Sequence, residues 1–428
     1  MASRPLRIAW LGPIPGGDAS ARGVATELLY GLAELGHRID CFFPSAGQPL
    51  PREIAEHQNV TVIWGTNVWQ WNRWYSRGKF RAFATGLLTR GRASLRLRQE
   101  ILRRHRHEPY DLIYQFSSIE TPAVPARLTH SLPLVIHPET HAAGELRWLI
   151  AERRLGLRCQ PAHVLAAVVA VMSLRALAQR NAIRRARLVI CISGVFRDHL
   201  VRDYGVRRSD TVVIPNPVRL ERFTTSAGTV SQPPRVLVLG RISVRKGVED
   251  VVAVARTLLE RGVNARIRVL GGPSLWSDYT KLLDDLPDEN AEYAGHVAAA
   301  EIPAELARGD VLLQASKYEP FGLTVAEALA AGVPVVATSE VGAIEGVDRA
   351  VLTEVAPGDF EAMAGAITTM IANLGENTTA IRTAARREAS RLFASALVCE
   401  RVSQALEQLV HGSGRVPGQE PSARVPAG

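Results

Sequence analysis

The sequence predicts two tandem, doubly wound α/β domains facing a cleft, and three observations point there. The chain has 428 residues, too many for one ordinary hydrophobic core. Short apolar runs alternate with helical periodicity along it, the pattern of parallel strands covered by helices on both faces. The same opening also occurs twice, as Arg7-Ile-Ala-Trp-Leu-Gly12 and Arg235-Val-Leu-Val-Leu-Gly240, each an apolar strand that ends at glycine before a loop and a helix. Apolar residues at 46% and charged residues at 22% are globular proportions and exclude global disorder.

In the first unit a loop rich in Gly and Pro, 13–23, follows the opening strand. The helix after it carries Val24, Leu28, Leu32 and Leu35 on one face and stops at Gly36. Strands are expected at 38–43, 60–64, 111–115, 134–136, 188–192 and 211–214. Residues 216–234 lose periodicity and gain Pro, Ser, Thr and Gly, the signature of a connection. The second unit continues with a helix over 248–260 and strands at 266–270, 292–294, 311–314 and 333–337. The expected division is a first domain 1–215, a linker 216–234, a second domain 235–393, a helix 394–410 returning to the first domain, and a tail 411–428 of disordered composition.

No uninterrupted apolar run reaches the ~20 residues of a membrane span, the nearest being 162–174. Pro13 and Pro15 interrupt the N-terminal apolar stretch, against a signal peptide. Cys41, Cys159, Cys191 and Cys399 lie far apart with no CxxC pair, which reads as reduced thiols and a cytoplasmic location. The net charge of +9 is local: residues 73–106 hold eleven Arg or Lys against one acid, Glu100. Trp64, Trp69, Trp71, Trp74 and Tyr75 precede Arg92, Arg96 and Arg103 there. Segment 64–106 is therefore a candidate surface for an anionic membrane, at the cytoplasmic face, weighed against an ordinary solvated helix. A nucleic-acid-binding protein, the reading from a different class, would use the same segment. It lacks zinc or RNP-type patterns, so no nucleic-acid partner is expected.

The strongest motif is Glu319-Pro-Phe-Gly-Leu-Thr-Val-Ala-Glu327, followed by a helix that Gly332 and Pro334 end. The amides of Phe321, Gly322 and Leu323 open that helix and can donate to an anion or a hydroxyl. A carboxylate beside them suits a polyhydroxylated ligand. Arg241 follows Gly240 at a strand end and Lys246 precedes the next helix, where open α/β sheets bind ligands. Two cations there can stabilise a departing diphosphate without a metal. Lysine is scarce, with Lys79, Lys246, Lys281 and Lys317 the only four, so its presence in a motif draws notice. No Asp-x-Asp occurs, and no metal site or cofactor is expected. In the first domain Gly16-Gly17 allows close backbone approach to a ligand, although a plain strand-to-helix turn explains it nearly as well.

Together these motifs resemble retaining glycosyltransferases of the GT-B fold, family 4 (glycosyl transferases group 1). The resemblance runs over ~7 to ~410 and rests on Gly16-Gly17, Ile192-Ser193, Ile214-Pro-Asn216, Gly240-Arg241 with Lys246-Gly247, and Glu319 to Glu327. It implies two Rossmann-like domains, the first on the acceptor side and the second binding the nucleotide sugar. It implies Glu319 on the donor sugar hydroxyls, Glu327 on the ribose, and Arg241 and Lys246 on the diphosphate of a UDP- or GDP-type donor. It also implies a first-domain histidine near the reacting sugar. His141 in Glu139-Thr-His141 fits that pattern better, and His137 stays open beside it. The implied activity is metal-independent transfer of a hexose-type sugar, with retention, to a small-molecule or lipid-linked acceptor. A disaccharide phosphorylase shares the fold and is the alternative. Two departures stand out: Gly342-Ala-Ile-Glu345-Gly replaces a Gly-Gly turn, and Pro217 follows Asn216 where glycine is usual.

Overall fold

A computed structural model describes residues 4–16, 21–43, 49–65, 96–117, 132–224, 229–273 and 278–412. The first sheet contains β1 (Arg7–Leu11), β2 (Arg38–Phe43), β3 (Val60–Trp64), β4 (Leu112–Phe116), β5 (Leu134–His137), β6 (Leu188–Cys191) and β7 (Thr211–Val213). Its order is β3-β2-β1-β4-β5-β6-β7, and every pairing is parallel. The second contains β8 (Arg235–Leu239), β9 (Arg266–Leu270), β10 (Ala291–Gly295), β11 (Val311–Gln314), β12 (Val335–Thr338) and β13 (Leu352–Val355). Its order is β10-β9-β8-β11-β12-β13, again parallel throughout.

The central strands are buried on both faces, which is why β4 reads Leu-Ile-Tyr-Gln-Phe and β11 Val-Leu-Leu-Gln with little alternation. Each sheet reverses its strand order beside its opening strand, between β1 and β4 and again between β8 and β11. Such a switch point leaves a crevice beyond the carboxyl ends of the two strands. The sequence motifs Gly240-Arg241 and Glu319 follow β8 and β11, so the fold itself brings them to one crevice.

The long helix Phe360–Phe393 carries the chain back to the first domain, where Val218 donates its amide to Phe393 O at 2.7 Å. The helix Ser395–His411 then packs on the helix Ala21–Glu34. Ser395 Oγ donates to Glu27 at 2.8 Å, and His37 Nε2 lies 2.7 Å from Ser403 Oγ.

Three expectations need correcting. β12 starts two residues after the expected strand because Val333 donates back to Ala328 O and Gly332 to Leu329 O, closing the preceding helix first. β13 has no counterpart in the sequence reading; it is an edge strand with one buried side chain, Leu352, too little to give a pattern. The helix Ala162–Ile183 is apolar and long enough to cross a membrane, although its uninterrupted apolar run is short. Counting the run missed what the whole helix averages.

Candidate active site

Glu319 lies at the head of its motif, and its carboxylate contacts both Lys246 Nζ and Arg245 Nη1, the latter at 3.1 Å. All three side chains are largely buried, with 12% of Glu319 and 15% of Lys246 exposed. Burial pushes the Glu319 carboxyl up, but Lys246 and Arg245 outweigh it and hold the group ionised, below its ordinary range. Burial lowers the Lys246 ammonium, with Glu319 opposing and Arg245 and Arg241 adding to the shift. Arg241 is exposed at the mouth of the crevice, and Gly240, Arg241, Lys246 and Gln314 line one small pocket there. Three cations and one carboxylate thus converge beyond β8 and β11, a positive excess suited to a polyanion.

Two glycines make this geometry possible. Gly247 is left-handed at φ 66°, and a Cβ there would stand 2.0 Å from Ala315 O, inside the strand-to-loop turn. Gly322, at φ 95°, caps the helix Leu323–Ala330 with no side chain, leaving the amides of its first turn for a ligand. Phe321, Gly322 and Leu323 are therefore placed as the motif suggested, behind Glu319.

Glu327 lies just over one turn into the helix Leu323–Ala330 and faces a different space. It lines a cavity of about 770 Å3 between the domains, together with Gly16, Leu323, Arg219 and Arg222. Burial raises its carboxyl to about 8, with Arg222 the only opposing charge. Gly16 reaches the same cavity through a tied backbone, its amide donating to Thr26 Oγ1 at 3.1 Å. Gly17 lies outside the described residues.

The first-domain histidines are both fully buried. His141 immediately precedes the helix Ala142–Ala151 and reaches across the cleft: its Nδ1 lies 2.7 Å from the hydroxyl of Tyr318, the neighbour of Glu319. Its Nε2 stands 3.1 Å from Asp203 without a hydrogen bond to it. His137 remains inside its own domain, Nδ1 at 2.6 Å from Tyr114 Oη and Nε2 at 3.6 Å from Glu139. Burial lowers both imidazoles to about 3 and raises Glu139 to about 7, so the two rings are neutral. Only His141 is joined to the Glu319 cluster. The donor atoms of His141, His199 and Asp203 lie within 4.8 Å of one another, a spacing that could hold a metal ion. Arg147 and Arg202 already occupy that carboxylate, at 2.6 and 3.0 Å, and both repel a dication.

Several residues of the site carry no linear signal. Arg245 is one arginine in an arginine-rich chain, yet it holds Glu319 and also accepts amides from Lys317 and Tyr318 on its carbonyl. The segment around Glu319 is clasped to the first domain at several points. Lys317 pairs with Glu152 at 2.9 Å, and Tyr318 holds His141. Ser193 Oγ donates to Pro320 O at 2.7 Å, and Glu345 accepts the amides of Gly194 and Val195, both at 2.7 Å. The departure at Gly342 to Glu345 is thus part of a seam between domains. Asn216 joins it from the linker, donating to Glu139 at 2.7 Å.

The basic segment is only partly described. Trp69, Trp71, Trp74, Tyr75 and Arg92 lie outside the described residues. Of the remainder, Leu97 and Ile101 are buried in the core, and Arg103 and Arg104 pair with Glu100 at 2.7 and 2.8 Å. That part is a helix packed on the first domain.

Comparison with known proteins places the chain beside glycosyltransferases. Residues 22–222 match the model for Glycosyltransferase Family 4, and residues 233–373 that for Glycosyl transferases group 1. Mannosylfructose-phosphate synthase of Agrobacterium fabrum is 30% identical over 173 residues, 36% of this chain and 38% of that protein. D-inositol 3-phosphate glycosyltransferase of Actinosynnema mirum is 29% identical over 238 residues, 48% of this chain and 56% of its own length. The matches span only about 38% to 56% of these curated relatives. Among solved structures, sucrose-phosphate synthase from Thermosynechococcus elongatus superposes with a TM-score of 0.66 at 18% identity, covering 96% of this chain and 100% of that one. Anabaena HepE in complex with UDP and glucose gives 0.62 at 21%, covering 94% and 100%. The fold is that of GT-B glycosyltransferase structures, and each half of the chain matches a glycosyltransferase family model.

Proposed function

We propose that this chain, with its paired glycosyltransferase domains, moves a hexose-type sugar from a nucleoside diphosphate to an acceptor hydroxyl and retains the anomeric configuration. One observation carries the reading: Lys246, Arg245 and Glu319 cluster at the switch point of the second sheet, beside a helix start left uncapped by Gly322. In the donor-free chain Glu319 is the counter-ion of the two cations. A diphosphate replaces it on Lys246, Arg245 and Arg241, and the freed carboxylate turns to the sugar hydroxyls. Glu327, in the adjoining cavity with Arg222, is placed for the ribose. The bond between the anomeric carbon and the phosphate oxygen breaks, the acceptor oxygen bonds the same face, and its proton passes to the leaving phosphate. Fixed cations meet the charge that develops on that phosphate, so the step needs no metal ion. His141 stands as the positioning residue of the first domain, since it holds Tyr318 next to Glu319.

Thermal shift with UDP, GDP and ADP tests this. The accepted diphosphate at 100 times its Kd raises stability by about 2.7 kcal/mol. Lys246→Ala removes most of that gain, and turnover with the matching nucleotide sugar continues in EDTA. If none of the three nucleotides moves the melting curve, the donor assignment is wrong.

A further inference from the structure

The helix Ala162–Ile183 is 22 residues long and apolar, and 17% of its most apolar window is buried. Leu165, Met172, Gln179 and Ile183 form its one buried stripe. Gln179 fixes that stripe to the first domain, accepting from the Ala142 amide at 2.8 Å and from the Tyr204 hydroxyl at 2.6 Å. β6 follows four residues after the helix, so the chain is held at both its inner face and its end. Crossing a bilayer would tear these contacts out.

On the opposite side Ala166, Ala170, Leu174 and Leu177 succeed one another at three- and four-residue spacing, all exposed. Leu174 is 63% and Leu177 55% exposed, and the adjoining helices Ala142–Ala151 and Arg153–Cys159 add Ile150 at 46% and Leu157 at 49%. Single exposed leucines are ordinary, but Leu174 and Leu177 share one face of the helix, and the two helices packed beside it each expose a further large apolar side chain. The charge around the patch is one-sided. Residues 142–187 contain nine arginines and two acids, Glu145 and Glu152, and Glu152 is already paired with Lys317. Arg153, Arg154 and Arg158 stand exposed before the helix, and Arg180, Arg184 and Arg185 at its end.

We infer that this face docks on an anionic lipid bilayer. Leu174 and Leu177 enter the headgroup–acyl boundary while the arginines at both ends of the helix meet lipid phosphates. Charge decides the occupant: a second copy of the same face would bring two arginine-rich surfaces together, whereas an anionic leaflet neutralises one. The inference is independent of the sugar chemistry and differs from the segment 64–106 that the sequence alone singled out.

The test is cosedimentation of the full chain with vesicles of phosphatidylcholine alone and of phosphatidylcholine mixed with phosphatidylglycerol. Pelleting is expected with the mixed vesicles, weakening as salt rises. Leu174→Ser with Leu177→Ser lowers the partition coefficient about tenfold or more, without lowering the melting temperature, because both side chains already face water. Arg184→Gln with Arg185→Gln weakens binding to the mixed vesicles and leaves phosphatidylcholine unchanged. The inference is overturned if nothing pellets at low salt, or if the leucine pair changes nothing while Arg92→Gln, Arg96→Gln and Arg103→Gln release the protein. It is equally overturned if lipid-free sedimentation shows a dimer that the leucine pair dissolves.

Discussion

Glu319, in the loop before the helix Leu323–Ala330, and Glu327, just over one turn into it, belong to one motif, both buried, and they sit in opposite charge states. Glu319 shares its pocket with Lys246 and Arg245 and stays ionised. Glu327 has only Arg222 at a distance, and burial lifts it to about 8. Burial alone therefore does not set the proton affinity; the number of fixed cations beside the group does. The two residues are consequently suited to different tasks. A permanent carboxylate can stabilise positive charge on a sugar, and a protonated one can both donate to and accept from ribose hydroxyls.

The largest effect that separates them is kinetic. Glu319→Gln is expected to lower kcat by about 100-fold, the scale of removing one electrostatic contact from a transition state. The same change leaves Lys246 and Arg245 without their counter-ion, so the donor-free protein loses roughly 3 kcal/mol. Nucleoside diphosphate affinity holds or rises, because the carboxylate no longer competes for the cations. Glu327→Gln raises the donor KM and spares kcat by comparison. Steady-state kinetics with isothermal titration of the free diphosphate checks both halves, and an exchange of the two patterns would reverse the assignments.

That contrast also shows how far the linear sequence reaches. Glu319, Gly322 and Glu327 are neighbours in the chain, and Gly240, Arg241 and Lys246 occupy one strand-to-helix turn, so local pattern placed all of them. The parallel sheets were legible for the same reason, since strands buried on both faces give continuous apolar runs. Arg245 was not legible, because its importance lies in a contact with a residue 74 positions away. His141, Tyr318 and Asp203 likewise meet only after both domains fold. That His141 rather than His137 faces Tyr318 depends on the position of the second domain, which periodicity does not encode.

A smaller effect follows from the titration of Glu327. Its folded pKa of about 8 lies above the ordinary 4.5, so the native state binds more protons than the unfolded chain between those values. Stability supplied by the neutral carboxyl is full below about 4.5 and is lost as pH rises through about 8. Within that window the slope is on the order of 1 kcal/mol per pH unit. Glu327→Gln removes this part, so the variant gains on the wild type from pH 5 to pH 8 in urea denaturation without ligand. Glu139, raised to about 7, bends both curves in the same direction, and the difference between them isolates Glu327. Parallel curves would place Glu327 among solvated carboxylates and break the contrast with Glu319.

The smallest expected effect concerns the seam that frames both glutamates. Glu345 of the second domain accepts two amides at the N-terminus of the helix Gly194–Tyr204 in the first. Ser193 caps the same helix through Phe196 N at 3.0 Å and bonds the carbonyl of Pro320, the residue after Glu319. One helix start thus holds the second domain at two points, one inside the motif and one after it. Glu345→Gln keeps an acceptor but removes the negative charge facing the helix dipole, a loss of about 0.5–1 kcal/mol. The loss falls on domain closure, since the contact joins two domains that each have their own core. Donor affinity should drop about two- to fivefold with kcat nearly unchanged, and the radius of gyration of the donor-free protein should rise. Small-angle scattering with and without nucleoside diphosphate reads this directly. If Glu345→Gln lowers the melting temperature but leaves both the scattering profile and the donor KM unchanged, the contact is a helix cap alone, and closure over Glu319 and Glu327 rests on Lys317 and Tyr318.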